Sequence, residues 1–388
     1  MELKPIEQSF SVAYAYKLYF SQNIFTKENS LFRDIMATYK PNSKTKLLFV
    51  VDDGVVKHHK DLIGQIEQYC RFHQNILQHK ASLIVPGGEQ TKNSEKSVNA
   101  VLEGINTHGI CRHSFVIAIG GGAVIDMVGY AAAIAHRGVK LIRIPTTVLS
   151  QNDSAVGVKN SINIFGKKNF IGTFAPPYAI INDGNFLKTL EQRDWIAGVA
   201  EAIKVALIKD ASFFDYIQKH TRQLREREID AMQYTIYRCA EMHMQHIAGG
   251  GDPFEHGSSR PLDFGHWAAH KLEYMTAYKL RHGEAVAKGI ALDLTYAHLK
   301  GLISAKVLNQ AITVMQQLGF NLQIPLKTEA EIAELLGGIE EFREHLGGEL
   351  TITLITGIGK KHDVHNIDLE MMKEAIRNLN GRSKLNVA

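Results

Sequence analysis

Short apolar runs alternate with helical stretches through the first half of this 388-residue chain, and this alternation limits the fold more than any other feature of the sequence. Residues 46–52, 81–86 and 113–120 are apolar, rich in β-branched side chains and bounded by polar or glycine residues, as buried strands usually are. Residues 93–109 have helical periodicity and end on a glycine. Strands separated by helices favour a parallel sheet with crossover helices, so the sequence predicts the α/β class.

The pattern changes after about Leu190. Five segments there carry helical periodicity, namely residues 192–218, 225–248, 262–278, 282–299 and 305–318, and the next strand-like run is residues 350–356. We therefore expect an α/β domain over residues 1–190 and a mainly α-helical domain over residues 191–388. A ligand between two such halves would lie at the carboxyl ends of the strands.

Composition excludes several classes of protein. The net charge of +4 is small for this length and no basic stripe is visible, so we expect no nucleic-acid partner. The amino terminus lacks a signal-peptide pattern, and glycines and Asp126 interrupt the most apolar stretch, residues 114–135. We therefore expect no membrane partner and a cytoplasmic location. Three cysteines are too few for a disulfide framework and are expected to be buried.

A glycine-rich turn follows the strand at residues 113–120. Gly121 and Gly122 open a helix there, and such a turn lets backbone N–H groups approach a pyrophosphate. A second glycine turn, Pro-Gly-Gly-Glu-Gln-Thr-Lys at residues 86–92, follows another strand, and Asp52 ends an earlier one where an acid could hold a ribose hydroxyl. A tight turn without a ligand remains the alternative interpretation.

One carboxylate and two imidazoles in the helical half, Glu201, His266 and His282, form a ligand set suited to zinc with a position left open for substrate. Spacing alone favours a different pair, because His266 and His270 are four residues apart and would share one helix face. With 18 histidines in the chain, such a pair also arises readily by chance. His243 and His246 have the same spacing, and we predict that both lie on a solvated helix face.

Residues 145–171 combine lysines, asparagines and Asp153 beside an apolar run. Lysine ammonium groups and asparagine amides around a loop can hold a phosphate and sugar hydroxyls. A basic surface loop is the alternative, and it explains Lys167 better than it explains the uncharged polar residues near Asp153.

Taken together, these segments resemble the sugar phosphate cyclase superfamily, whose best-known member is 3-dehydroquinate synthase. The resemblance covers about residues 45 to 300 strongly and runs more loosely to Asp368. It is carried by PGGEQTK, GGGAVIDMVGY, RGVKLIRIPTTVLSQNDSAVGVK, GKKNFIG, GVAEAIK, DFGHWAAH and RHGEAVA, in that order. It implies a Rossmann-like NAD-binding domain followed by a helical metal-binding domain, and a homodimer. It also implies a reaction in which NAD⁺ is reduced and regenerated within one turnover while phosphate is eliminated from a small-molecule sugar phosphate.

The resemblance also implies roles for individual residues. The metal, Zn²⁺ or Co²⁺, would be held by Glu201, His266 and His282, which moves His270 to the substrate. The NAD contacts would be Asp52, Glu89, Lys92, Gly121, Gly122, Asp126, Thr146, Thr147, Lys168, Phe186, Thr189 and Leu190. The catalytic and substrate residues would be Asp153, Lys159, Asn169, Lys204, Asp263, His270 and Arg260, with Arg137 reaching the phosphate site of the other subunit.

Two departures from 3-dehydroquinate synthase concern the substrate. Asp263 stands where those enzymes usually carry asparagine, and residues 238–246 lack the lysine that, with an arginine, holds the substrate carboxylate in the family. We therefore expect a neutral ketose, sedoheptulose 7-phosphate, as the substrate of a cyclase similar to the 2-epi-5-epi-valiolone and 2-epi-valiolone synthases. Arg260 and the late segment EEFREHLGGELTITLITGIG also resemble that branch, whereas its 2-epi-5-epi members tend to carry proline where His270 stands.

Three alternatives remain at this point. The chain could be a true 3-dehydroquinate synthase, or a metal-dependent polyol dehydrogenase that consumes NAD⁺ stoichiometrically. It could also be a non-catalytic protein that binds NAD or a sugar phosphate.

Overall fold

The computed structural model describes residues 4–41, 43–165, 167–250, 254, 262–345 and 347–385. Its strands are β1 (Lys17–Ser21), β2 (Thr45–Asp52), β3 (Leu77–Val85), β4 (Phe115–Gly120), β5 (Lys140–Pro145), β6 (Lys159–Ile164), β7 (Lys167–Phe174), β8 (Ala179–Asp183), β9 (Ile352–Gly357) and β10 (Lys360–Val364).

The helices of the first half are α1 (Leu31–Tyr39), α2 (Asp53–His58), α3 (Leu62–Phe72), α4 (Glu95–Thr107) and α5 (Gly122–Ile134). Those of the second half are α6 (Gln192–Ala197), α7 (Val199–Lys209), α8 (Ala211–Lys219), α9 (Thr221–Arg225), α10 (Ile229–Gly249), α11 (His266–Met275), α12 (His282–Leu299), α13 (Ala305–Leu318), α14 (Glu329–His345) and α15 (Leu369–Leu385).

A parallel sheet of six strands, in the order β1-β8-β5-β4-β2-β3, forms the first half. Leu47, Phe49 and Val51 of β2 face one apolar cluster with α1 and α3, while Leu48 and Val50 face another with α4 and α5. Helices thus cover both faces, which explains why the central strands are apolar without alternation. The predicted α/β class is confirmed.

The sheet has a topological switch point between β2 and β4. From β2 the chain moves outward to β3, whereas from β4 it moves in the opposite direction to β5. The carboxyl ends of β2 and β4 therefore flank a crevice of the kind in which open α/β sheets bind ligands.

Two parts of the first half differ from expectation. The run predicted at residues 81–86 begins earlier, at Leu77 of β3. Residues 159–174, interpreted as a loop, form an antiparallel hairpin of β6 and β7 whose outer strand is largely exposed. An exposed strand can carry polar side chains, and for that reason its sequence resembles a loop.

The second half is built from helices around α12, which is buried along nearly all of its length. Its small and apolar residues surround the whole helix, as expected for a central helix. The stretch at residues 192–218 is divided into three helices at Gly198 and Asp210, where the Asp210 carboxylate accepts hydrogen bonds from the first turn of α8. The predicted boundary at residue 190 lies between β8 and α6.

Two simpler expectations can be compared with the described residues. Cys70 and Cys239 are buried, but Cys111 is exposed in the turn before β4, so the prediction for Cys111 is wrong. None of the described helices has the combination of length and apolarity needed to cross a bilayer.

Candidate functional site

Glu201, His266 and His282 converge from three helices. Glu201 is fully buried in α7, and the two histidines are the first residues of α11 and α12. Nε2 of His266 lies 3.7 Å and Nε2 of His282 lies 3.4 Å from Oε1 of Glu201. One ligand atom from each residue lies within 4.8 Å of the others, so a single cation could contact all three.

Hydrogen bonds orient both imidazoles towards Glu201. Nδ1 of His266 lies 3.1 Å from the carbonyl oxygen of Phe264, and Nδ1 of His282 lies 3.0 Å from Oε2 of Glu273. Since both partners are acceptors, each Nδ1–H group can donate to its partner, and each Nε2 faces the carboxylate, where a bound metal would take the place of any proton on it. This is the usual arrangement of histidine ligands, in which an outer acceptor fixes the tautomer.

The electrostatics of the cluster favour a cation. Burial alone would raise the pKa of Glu201, but Lys204 and His282 outweigh burial and lower it to about 2. Burial likewise opposes a charge on His282, yet Glu273 and Glu201 raise its pKa to about 10. Among the described residues, no donor makes a hydrogen bond of regular geometry to either oxygen of Glu201, although Lys204 Nζ lies 2.5 Å from Oε2. These features fit a divalent metal ion.

Asp153, Lys204 and His243 line one side of this cluster. Lys204 is buried beside Glu201, and burial, which would lower its pKa, is outweighed by Glu201 and Asp153, which raise it. Burial and Glu201 oppose ionisation of Asp153, but Lys204 and His243 lower its pKa. Asp153 lies in a short π-helical turn, Ser150–Ser154, with Oδ1 3.1 Å from Nδ1 of His243. The prediction that His243 lies on a solvated face is therefore wrong, because α10 packs this residue against the turn that carries Asp153.

Four other residues were predicted to be catalytic, namely His270, Asp263, Arg137 and Arg260. The His270 ring is exposed and stacks on the His282 ring with centroids 5.9 Å apart. The backbone oxygen of Asp263 accepts a hydrogen bond from the first residue of α11. Arg137 is exposed in the turn after α5, and its role at another subunit stays a prediction. Arg260 lies outside the described residues.

The β6–β7 hairpin carries the predicted phosphate and sugar contacts. Lys159 begins β6, and Asn169 is exposed on β7 with its Oδ1 2.8 Å from Ser161 Oγ. Lys92 Nζ reaches the same amide oxygen at 2.5 Å and Asp126 at 2.7 Å, which links the hairpin to α5.

Glu89 and Lys168 also lie beside this hairpin. Glu89 accepts a hydrogen bond from Asn163 at 2.8 Å and lies 3.9 Å from Lys168 Nζ. Four of the predicted NAD contacts, Glu89, Lys92, Asp126 and Lys168, are thus brought together around the hairpin.

The other predicted NAD contacts follow the carboxyl ends of the parallel strands. Asp52 ends β2, and a Cβ on Gly120 at the end of β4 would lie 3.1 Å from its Cβ, so the two strand ends adjoin. Burial raises the pKa of Asp52, although backbone N–H groups oppose the shift. Gly121 caps α5, which begins at Gly122.

Two further strands contribute to the same edge. Thr146 and Thr147 follow β5, and the Thr146 N–H donates to Gly120. Phe186, Thr189 and Leu190 follow β8, where Thr189 Oγ1 lies 2.9 Å from His59 Nε2.

Three residues at the site were not identified from the sequence. Glu273 lies two helical turns after His266 on one face of α11, a spacing that could have indicated it. His243 has the helical spacing of the buried Ile236, Cys239 and Ile247 in α10, and this periodicity could have indicated its burial. Arg143 is fully buried in β5 and holds the segment between Asp153 and Lys159, and a charged residue inside an apolar strand was the available clue.

Comparison with known proteins gives a consistent result. The 3-dehydroquinate synthase N-terminal family model matches residues 82–197, and the C-terminal model matches residues 198–339. The 3-dehydroquinate synthase of Vibrio atlanticus is 36% identical over 302 residues, which are 76% of this chain and 80% of that protein.

Solved structures extend the comparison. 2-Epi-5-epi-valiolone synthase from Streptomyces hygroscopicus subsp. jinggangensis, solved with NAD⁺ and Zn²⁺ bound, has a TM-score of 0.87 and 27% identity, with 97% of this chain and 100% of that chain covered. A 2-deoxy-scyllo-inosose synthase has a TM-score of 0.77 at 22% identity, with 93% and 96% covered, and indicates the fold alone.

Proposed function

The chain belongs to the 3-dehydroquinate synthase family, and we propose that it is an NAD- and metal-dependent sugar phosphate cyclase acting on a seven-carbon sugar phosphate. The product would be a seven-carbon cyclitol such as a valiolone epimer, formed from sedoheptulose 7-phosphate with loss of phosphate. We further propose that the protein acts as a homodimer.

The observation that carries this proposal is the buried cluster of Glu201, His266 and His282 beside Asp153 and Lys204. Asp153 lies in the turn that follows β5, and a Cβ on Gly122 would lie 2.4 Å from Ser154 Oγ in the same turn, so the turn adjoins the glycine segment at Gly121 that favours a dinucleotide. The NAD⁺ and Zn²⁺ bound by the 27% identical cyclase support both cofactors here.

When bound, NAD⁺ would accept and return a hydride at one substrate carbon while the divalent metal polarised the oxygen on that carbon as a Lewis acid. Glu201, His266 and His282 would hold the metal, and Lys204 would balance the charge of Glu201. Asp153 would accept a hydrogen bond from a substrate hydroxyl, since its lowered pKa keeps it ionised. Lys159 and Asn169 at the hairpin would bind the phosphate.

Two residues support a neutral ketose over a carboxylated sugar. His243 is the α10 side chain that contacts Asp153, and α10 contains no lysine. The α10 cation, Arg238, pairs instead with Asp210 at 2.8 Å. A substrate carboxylate would meet Asp153 and Asp263 without a lysine on this helix, and a charge left without a partner is costly to desolvate.

The alternative substrate is the heptulosonate phosphate of 3-dehydroquinate synthase. The names of the sequence relatives favour it, because the Vibrio protein at 36% identity is such an enzyme. This alternative would leave the cyclase reaction unchanged and alter the substrate alone.

The reaction class is tested by following phosphate and NADH together. With Zn²⁺ or Co²⁺, NAD⁺ and sedoheptulose 7-phosphate or the heptulosonate phosphate, we expect phosphate to be released without a matching rise in NADH absorbance. A rise in NADH that is stoichiometric with substrate would instead identify a polyol dehydrogenase. Binding of both ligands without either signal would identify a non-catalytic binding protein.

A further inference from the structure

The carboxylate of Glu273 joins the two halves of the candidate site. Glu273 is buried in α11, and its two oxygens have different partners. Oε2 lies 3.0 Å from Nδ1 of His282, and Oε1 lies 2.8 Å from Nζ of Lys168 on β7. One side chain therefore contacts both a proposed metal ligand and a lysine of the hairpin.

We propose that Glu273 is a positioning residue that orients His282 for the metal and makes metal affinity depend on Lys168. The proposal rests on the metal site proposed above and adds to it a connection between the metal and the hairpin. Glu273 itself need not touch the metal, the cofactor or the substrate.

The chemistry of the two neighbours requires a carboxylate at this position. The His282 Nδ1–H group and the Lys168 ammonium group are both donors, so the residue between them must supply two acceptors. A glutamine offers one oxygen and one NH₂ group, and its NH₂ group would face a donor whichever way the amide turned. Glu273→Gln keeps the size of the side chain and must lose one of the two hydrogen bonds.

The position of Lys168 explains why the effect should extend beyond His282. Lys168 also lies 3.9 Å from Glu89 and above the ring of Tyr278 at 5.4 Å. Its charge neutralises part of the Glu273 carboxylate and leaves less negative charge for the imidazole. Removing Lys168 should therefore strengthen the interaction of Glu273 with His282 and, through it, metal binding.

The experiment measures Zn²⁺ affinity by chelator competition on the metal-stripped full-length protein, with the absorption spectrum of bound Co²⁺ as a second readout. Losing an outer hydrogen bond to a histidine ligand weakens metal binding by about 10- to 100-fold, and we expect this for Glu273→Gln. We expect Lys168→Met to tighten Zn²⁺ binding at least about threefold. A smaller change would fall within the deviations from additivity that are usual for two independent sites. The double variant should bind Zn²⁺ as Glu273→Gln does.

The matched control is Lys271→Met, which removes another ion pair of α11, that of Lys271 with Glu341 at 2.6 Å, and should leave Zn²⁺ affinity unchanged. Wild-type affinity in Glu273→Gln, or single-variant effects that multiply in the double variant, would overturn the inference while the proposed function stands. If the wild-type protein bound no divalent metal, both this inference and the proposed function would fail. Lys168 lies on a partly exposed strand, where a substitution should be tolerated. Lys168→Met therefore tests the connection even if Glu273→Gln does not fold.

Discussion

Replacement of Arg143 by methionine should destabilise the protein and disturb the segment that carries Asp153 and Lys159. The guanidinium of Arg143 is fully buried in the sheet, and burial lowers its pKa to about 10, so the side chain stays charged at neutral pH. Its Nη1 atom donates to the carbonyl oxygens of Ala155 at 2.8 Å and Gly157 at 2.5 Å. Its Nη2 atom donates to the amide oxygen of Asn160 at 2.8 Å and, more weakly, to the carbonyl oxygen of Lys159 at 3.3 Å.

The expected loss follows from these four acceptors. A buried acceptor left without a donor costs about 1–3 kcal/mol, and water or local movement would satisfy some of the four. Methionine also avoids the cost of burying a charge, which offsets another part of the loss. We therefore expect the free energy of unfolding to fall by about 3 kcal/mol. Because the freed segment lies between Asp153 and Lys159, KM for the sugar phosphate should also rise.

Urea denaturation and steady-state kinetics of Arg143→Met provide the measurement. Arg222→Met is the control, because Arg222 is exposed and solvent screens its pair with Glu226, so the free energy of unfolding should hardly change. A loss below about 1 kcal/mol together with an unchanged KM would refute the conclusion that Arg143 holds this segment.

Three other predictions concern the cofactor, the pH and the metal. A Cβ at Gly87 would lie 2.3 Å from Oδ1 of Asp52, so Gly87→Ala should displace this carboxylate. We expect the variant to bind NAD⁺ about tenfold more weakly in a calorimetric titration, which corresponds to about 1.4 kcal/mol. Gly64→Ala is the control and should bind NAD⁺ normally, because the space around Gly64 is open. Burial lowers the pKa of Lys288 to about 8 in the folded protein, whereas the lysine keeps its usual, higher pKa in the unfolded chain. Above about pH 8 the unfolded chain therefore binds more protons than the folded protein, and stability rises with pH. Urea titrations should therefore show the wild type gaining roughly 2 kcal/mol relative to Lys288→Met between about pH 7 and pH 10, and an equal difference at both ends would contradict this. His266→Ala should abolish turnover and Zn²⁺ binding, and full activity in that variant would remove His266 from the metal site.

The central strands could be predicted from the sequence because burial on both faces leaves an unbroken apolar run. β2 and β4 were predicted in this way, and the parallel sheet followed from the helices between them. The β6–β7 hairpin could not, because its outer strand is exposed and its polar residues resemble those of a loop.

At the candidate site, the ligand set was predicted from residue type and resemblance, and its geometry needed the fold. Glu201, His266 and His282 are distant in sequence and meet because α7, α11 and α12 pack together. His243 shares the buried face of α10 with Ile236, Cys239 and Ile247, so periodicity could have indicated its burial, but its contact with Asp153 depends on how α10 packs in the fold. The spacing within α11 could have indicated Glu273, but not its contact with Lys168, which comes from the other half of the chain.

The central claim is that this chain cyclises a neutral ketose phosphate. It is tested most directly by kcat/KM for sedoheptulose 7-phosphate and for the heptulosonate phosphate, under one set of NAD⁺ and metal conditions, with both products identified. We expect efficient release of phosphate and formation of a cyclitol from sedoheptulose 7-phosphate, and rejection of the carboxylated sugar. Efficient formation of 3-dehydroquinate would contradict the claim.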